Sequence, residues 1–448
     1  MDWRIRLISP EDAARKVKSG NRVFLTGNIS TPQVFAKALC DRYQELHNVE
    51  IVQLLDLGAG DYITAEMADH IRINSLFISG KVRKLVNSGS AEFTPVFLSE
   101  IPSLWRSGRL VLDVAVIHVS PPDEHGFCSY GVEVGVTKSA AETAGIVIAE
   151  VNPQMPRTLG DSFIHVSNID YFIDVDYPLP EVKPEPASPI QDSIARHIAE
   201  LIPDGATLQT GIGGIPDAVL RRLTSHKNLG IHTELFSDGV MDMIELGVIN
   251  CAAKKLHPGK VVAGFVLGTH KLFKYIDDNP IIELHPTEYV NDPFIIAQNN
   301  KMISINSALE VDITGQVCAD SIGTRLFSGV GGQVDFVRGA ARSKGGKTFI
   351  ALASTAKNDS ISRISMQLAP GAGVTTSRND VHFVATEYGI ADLWGRTLSE
   401  RAHALINIAH PNFREQLEQY AREQNFITRT WSGVEVAEEA QPELQPQA

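Results

Sequence analysis

Short apolar runs recur along the chain without polar alternation: LVLDVAVIHVS, GIVIAEV, VVAGFVLG, KTFIALAS and DVHFVAT. Runs of Val and Ile of this length predict strands buried on both faces of a mainly parallel sheet. Between them lie stretches of helical spacing, among them AEMADHIR, DAVLRRL and ERAHALINIAHPNFREQLEQYA. The alternation predicts an α/β fold of open sheets.

Two segments repeat one plan. VFLTGNISTPQVFAKAL near the start aligns without gaps with TLQTGIGGIPDAVLRRL, so that Thr26, Gly27, Pro32 and Leu39 meet Thr210, Gly211, Pro216 and Leu223. Each copy predicts a strand, a tight turn and a helix opened by proline, which loses no hydrogen bond at the first helical position. Between the copies, Pro178, Pro180, Pro184, Pro186 and Pro189 fall within twelve residues. Such a run is excluded from helix and central strand and predicts an extended linker. The expected organisation is therefore two similar α/β halves, 1–188 and 189–448, packed about a shared interface. The acidic, Pro- and Gln-rich end at about 432–448 predicts a disordered tail.

Composition narrows the function. With 40 basic against 53 acidic side chains and a formal net charge of -13, nucleic acid and anionic membrane are not expected partners, since both demand a basic face. Cys40, Cys128, Cys251 and Cys318 lie at least 67 residues apart, which leaves no zinc-ribbon spacing or disulfide framework. The chain reads as a reduced, cytoplasmic protein. It begins without an apolar signal region, and its longest apolar stretches are too short to span a bilayer.

Most standard motifs are missing. ARSKGGKT at 341–348 comes within one residue of a P-loop, yet it is followed by the strand-like FIALAS instead of a helix, so it reads as a basic turn. A metal site at His118, Asp123 and His125 is a weak candidate, and none is expected. Two glycine clusters say more: Gly211, Gly213 and Gly214 around Ile212, and Gly329, Gly331 and Gly332 around Val330. Neither completes a dinucleotide fingerprint. Consecutive glycines admit a ligand close to the backbone and free N–H groups for an oxyanion or phosphate, although tight turns and close packing would also account for them.

Between the clusters, IHTELF predicts a strand that places Glu234 near its carboxyl end, where open α/β sheets gather ligands. Glutamate is depleted in strands, so it stands as a candidate nucleophile or as a structural ion pair. A carboxylate is ionised at neutral pH and needs no companion base.

IHTELFSDG, SPPDEHGFCSYG, FLSEIP, FSGVGGQVDF, GGKTFIALAST and ATEYGIADLWGRTLSERA occur in one order. With these motifs the chain closely resembles the acetyl-CoA hydrolase/transferase family of class I CoA-transferases, and within it the 4-hydroxybutyrate and butyryl coenzyme A-transferases. The resemblance spans residues 8–425. It implies a catalytic role for Glu234 in the HTE motif and ping-pong exchange of CoA between an acyl-CoA and a short-chain carboxylate, with hydrolysis as the alternative outcome. It further implies oxyanion donors near Ile212 or Gly213 and at Gly331, with CoA lying along the second half near Gly211, Gly214, Gly329 and Gly332. Lys344 and Lys347 would meet its phosphates. The acceptor pocket would draw on Phe93, Phe97 and Glu100. Coenzyme A would be a substrate, with no tightly bound cofactor, metal, flavin or nicotinamide, and the protein would be a homodimer or higher homo-oligomer.

Overall fold

The computed structural model describes residues 2–58, 63–211 and 213–427. Ile212 and the predicted tail lie outside the described residues.

The first part carries β1 (Arg22–Leu25), β2 (Val49–Leu54), β3 (Ile71–Phe77), β4 (Glu92–Phe93), β5 (Val114–Val119), β6 (Ile146–Val151) and β7 (Tyr171–Asp174). They form one parallel sheet in the order β7-β6-β5-β1-β2-β3-β4. Every residue of β5, VAVIHV, is buried, as expected of a strand covered on both faces. The second part carries β8 (Thr207–Thr210), β9 (Gly230–Ile231), β10 (Met302–Ser307), β11 (Lys347–Ala351), β12 (Phe383–Thr386) and β13 (Gly389–Asp392). Their order is β9-β8-β10-β11-β12-β13, parallel except for the closing antiparallel β12–β13 pair.

The duplication is visible in this topology. The run β7-β6-β5-β1-β2 in one sheet has the strand order of β12-β11-β10-β8-β9 in the other, with the two aligned segments at β1 and β8. The prolines differ in detail: Pro32 precedes the helix Gln33–Asp41, whereas Pro216 lies inside the first turn of Gly214–Arg222. Neither position needs an N–H, so both are tolerated.

Residues 175–188 hold neither helix nor strand, and the helix Pro189–Ala199 starts on a capping box between Ser188 and Gln191. The two parts interlock across this segment. Leu159–Gly160 pairs with Ile282–Leu284, which in turn pairs with Val261–Ala263. One hydrophobic cluster extends from Val119 and Tyr130 through Ile194 to Phe236 and Phe265.

Three expected elements come out differently. AEMADHIR yields only the single turn Ala65–Met67 before β3 begins. VVAGFVLG breaks at Gly264 into Val261–Ala263 and Phe265–Val266, because the Glu234 carbonyl takes the amides of both Gly264 and Phe265. The long C-terminal helical stretch splits at His410–Pro411 into Leu398–Ile408 and Pro411–Glu423. No helix among the described residues is long and apolar enough to cross a membrane, and all four cysteines are buried and unpaired.

Candidate active site

The IHTELF segment is not one strand. Gly230–Ile231 stops after a bridge at His232, the chain bends at Thr233 and Glu234, and Leu235–Phe236 resumes beside Phe265–Val266. Glu234 therefore sits past the carboxyl end of β9, its backbone fixed by the amides of Gly264 and Phe265 at 2.9 and 2.8 Å. Thr233 donates to the carbonyl of Thr210 at 3.1 Å, which ties the bend to the strand that ends in the first glycine cluster.

The carboxylate has one side-chain donor among the described residues: Asn291 Nδ2, 3.0 Å from Glu234 Oε2. Burial raises the Glu234 carboxyl above the ordinary carboxylate range, and the Asn291 bond works against that rise. Asn291 is positioned in turn by His232. This residue is fully buried, its Nε2 lies 2.8 Å from the carbonyl of Val290, and burial pushes its pKa down to about 3, so the ring is neutral and donates from Nε2. The histidine of the HTE motif holds the neighbour of Asn291, two residues before the glutamate it serves.

The second glycine cluster meets the same carboxylate. A Cβ on Gly332 would lie 2.0 Å from Glu234 Oε2 and 2.2 Å from Asn291 Nδ2. Gly332 has φ -96, which any residue adopts, so the requirement is space and not backbone freedom. It also caps the helix Gln333–Arg342, and the amides of Gly331 and Gly332 meet no acceptor among the described residues. A helix N-terminus with free N–H groups thus lies directly against Glu234, suited to developing negative charge. Gly331 adopts φ +57, and Gly329 and Gly331 pack on Phe77 at the end of β3.

The first part closes this loop from the other side. Leu98 donates its amide to Gly331, while the Ser99 amide and hydroxyl hold Asp335 at 3.1 and 2.8 Å. Asp335 lies in the first turn of the helix and is buried. Desolvation first, with the nearby Glu234 charge adding to it, raises its carboxyl to about 7 against the pull of Ser99 and Asn291.

Of the residues expected from sequence, Glu234, Gly331 and Gly332 converge, with Gly329 behind them. Gly213, with φ +118, caps the helix Gly214–Arg222 and lines a cavity of about 330 Å³ with Gly214, Ser237 and Asp238. Gly214 lies against the side-chain carboxamide of Gln191. Gly211 follows β8. Ile212 lies outside the described residues. Lys344 and Lys347 do not join the group. They lie beyond the far end of Gln333–Arg342, about 15 Å along the helix from Gly332, and the Lys347 ammonium is held by the carbonyl of Leu201 at 2.7 Å.

Phe97 packs against Arg338, Phe93 is half-buried on β4, and Glu100 is exposed. The weak metal candidate dissolves: His118 is buried in β5 against Asn152, Asp123 pairs with Arg157, and His125 is exposed. The near P-loop runs into β11, with its helix before it instead of after. Sequence reasoning missed Asn291, Asp335, Ser99 and Phe77; Ser99 and Asp335 stand within FLSEIP and FSGVGGQVDF, but nothing in those strings names their partners.

Comparison with known proteins gives the family. Residues 1–182 match the acetyl-CoA hydrolase/transferase N-terminal domain and residues 268–421 the C-terminal domain. The chain is 51% identical over 421 residues to a 4-hydroxybutyrate coenzyme A transferase of Clostridium kluyveri, covering 93% of this chain and 98% of that one. It is 46% identical to a succinyl-CoA:cyclohexane-1-carboxylate CoA transferase of Geobacter metallireducens, covering 95% and 97%. Among solved structures, RipA of Yersinia pestis superposes with a TM-score of 0.89 at 34% identity, covering 95% of this chain and 100% of that one. With family models over both parts and relatives near half identical along almost its whole length, the chain belongs to the acetyl-CoA hydrolase/transferase family.

Proposed function

We propose that the protein is an acyl-CoA:carboxylate CoA-transferase in which Glu234 is the nucleophile. The observation that carries this reading is the Gly332 contact: a carboxylate oriented by one carboxamide and set against the glycine that starts a helix.

Glu234 attacks the thioester carbonyl through a carboxylate oxygen. The C–S bond breaks, which leaves an acyl-glutamyl anhydride and CoA thiolate. The thiolate attacks the glutamyl carbonyl and expels the donor acid as its carboxylate, and CoA is then held as a glutamyl thioester. An acceptor carboxylate reverses the two steps, so no net proton is consumed. Each step passes through a tetrahedral oxyanion, for which the amides of Gly331 and Gly332 and the first glycine turn are the donors in this reading. Removal of one such donor costs about 3 to 4 kcal/mol in comparable sites. In its ionised form the poorly solvated Glu234 is a better nucleophile than a carboxylate in water, and Asn291 works against the burial that disfavours that form.

Several relatives carry names of enzymes for short acids. They include a 4-hydroxybutyrate coenzyme A transferase and a butyryl-CoA:acetate CoA-transferase from Anaerostipes caccae, the latter 37% identical over 426 residues. Exchange of CoA between acetate and butyrate or 4-hydroxybutyrate is the substrate reading. Intact-mass analysis after brief mixing with acetyl-CoA, without acceptor, tests it. A CoA adduct on the Glu234 peptide, discharged by a short carboxylate and missing in E234Q, is expected. Steady CoA release without adduct or acceptor dependence would mean hydrolysis instead.

A further inference from the structure

We propose that His257, Glu283 and His285 form a binding site for a divalent transition-metal ion of the zinc class, separate from the Glu234 carboxylate. It is the one group among the described residues whose His and carboxylate ligand atoms converge, all within 4.8 Å of one another.

The two imidazoles address a single carboxylate oxygen: His257 Nδ1 is 2.7 Å and His285 Nε2 3.4 Å from Glu283 Oε2. In a tetrahedral zinc site with bonds of about 2.0 Å, neighbouring donors stand about 3.3 Å apart. Small side-chain adjustments suffice to open the trio around an ion. The composition, two imidazoles and one carboxylate with room for an exogenous ligand, is one that zinc and its neighbours accept.

The surroundings add what a ligand histidine needs. The remaining nitrogen of His257, Nε2, lies 2.7 Å from the Tyr289 hydroxyl. With Nε2 donating to that oxygen, Nδ1 presents its lone pair to the ion, the outer-shell arrangement that fixes a ligand tautomer. The His257 and His285 rings lie 5.1 Å apart, and Tyr289 lies 5.1 Å from His285. His257 is held at φ +50, an uncommon conformation for a residue with a side chain. The charges facing the group are Lys260, 3.8 Å from the other oxygen, Glu283 Oε1, the buried Lys254, which interacts with Glu283, and Asp161, which interacts with His285.

The three donors come from separate places, the loop before Val261–Ala263, the strand Ile282–Leu284 and the turn that follows it. That strand joins the two parts of the chain through Leu159–Gly160. The turn leads through Thr287–Val290 to Asn291. A bound ion would pin the segment that delivers Asn291 to Glu234.

The test is titration of the chelator-treated full chain with Zn²⁺ by calorimetry and with Co²⁺ by visible absorption, beside a thermal melt with and without Zn²⁺. Expected are one ion per chain, a raised melting midpoint, and loss of both in H257A/H285A. Y289F, with all donors in place, should bind about 10- to 100-fold more weakly. Circular dichroism checks that the variants fold. Should the double variant fail to fold, H285N reads out the same loss with less disturbance. No uptake by the wild type, or equal uptake by wild type and a folded donor variant, would overturn the proposal.

Discussion

Gly332→Ala adds one carbon at the point where Glu234, Asn291 and the helix start meet. The new Cβ would lie 2.0 Å from Glu234 Oε2, about 1.4 Å inside ordinary van der Waals contact, and 2.2 Å from Asn291 Nδ2. With φ -96 and ψ 6 the backbone accepts alanine without strain, so the cost falls on the carboxylate and its carboxamide. Either group must move by more than 1 Å. A misplacement of about 1 Å in a reacting group costs on the order of 100-fold in rate, whereas Gly to Ala at a helix N-cap costs stability of about 1 kcal/mol or less. The expected result is at least a 100-fold fall in kcat for CoA transfer from butyryl-CoA to acetate, with slower adduct formation by intact mass and a nearly unchanged melting midpoint. Gly331→Ala is the contrast. There φ is +57 and the Cβ meets the Phe77 ring at 3.0 Å, so stability should suffer and kcat should fall less than in G332A. Turnover of G332A within threefold of wild type would refute the assignment of this contact to the nucleophile.

Asn291→Ala removes a bond to a charged group worth about 1.5 to 3 kcal/mol, so kcat should drop roughly 10- to 100-fold while acyl-CoA still binds; an unchanged rate would show that Asn291 does not orient Glu234. Asp335, raised to about 7 by burial, holds its proton in the folded chain over a range where the unfolded chain has lost it. The native state then binds more protons, so this group's contribution to stability is full below the ordinary carboxylate range and declines as pH rises to about 7. It amounts to about 4 kcal/mol at most. The difference between wild type and D335N in urea melts at pH 5 and pH 8 checks the sign; a wild type that gains stability relative to D335N as pH rises would reverse it. Glu133 is fully buried against Asn28 and raised to about 8, so E133Q should match wild type only near pH 4, and its advantage should grow as pH rises to about 8 and hold at pH 9. Equal pH profiles in thermal melts would count against a buried, protonated Glu133.

Much of the architecture was legible because the signals are local. The runs VAVIHV and IVIAEV are apolar over their whole length and become strands buried on nearly every residue. The TG turns of the two aligned segments follow from backbone chemistry within a few residues. Glu234 stood out as a glutamate in a strand-like run, where an ion pair was the other reading, and its place in the HTE motif came from the family resemblance. AEMADHIR failed because its helical spacing competes with the seven-residue β3 that begins at Ile71, and sheet pairing with β2 won.

The sequence by itself determined the α/β class and the duplicated plan, and it singled out Glu234 and the second glycine loop as candidates. Only the tertiary structure decided what that glycine loop touches: Gly332 lies against the Glu234 carboxylate, and the Lys347 ammonium reaches the main-chain carbonyl of Leu201. Asn291, 57 residues beyond Glu234, and Ser99, 236 residues before Asp335, reach their partners only when sheets and helices pack. A carboxamide or hydroxyl carries no sign of its partner in a linear chain; its chemistry is set by what lies within 3 Å, and that distance is settled by the packing of the two halves.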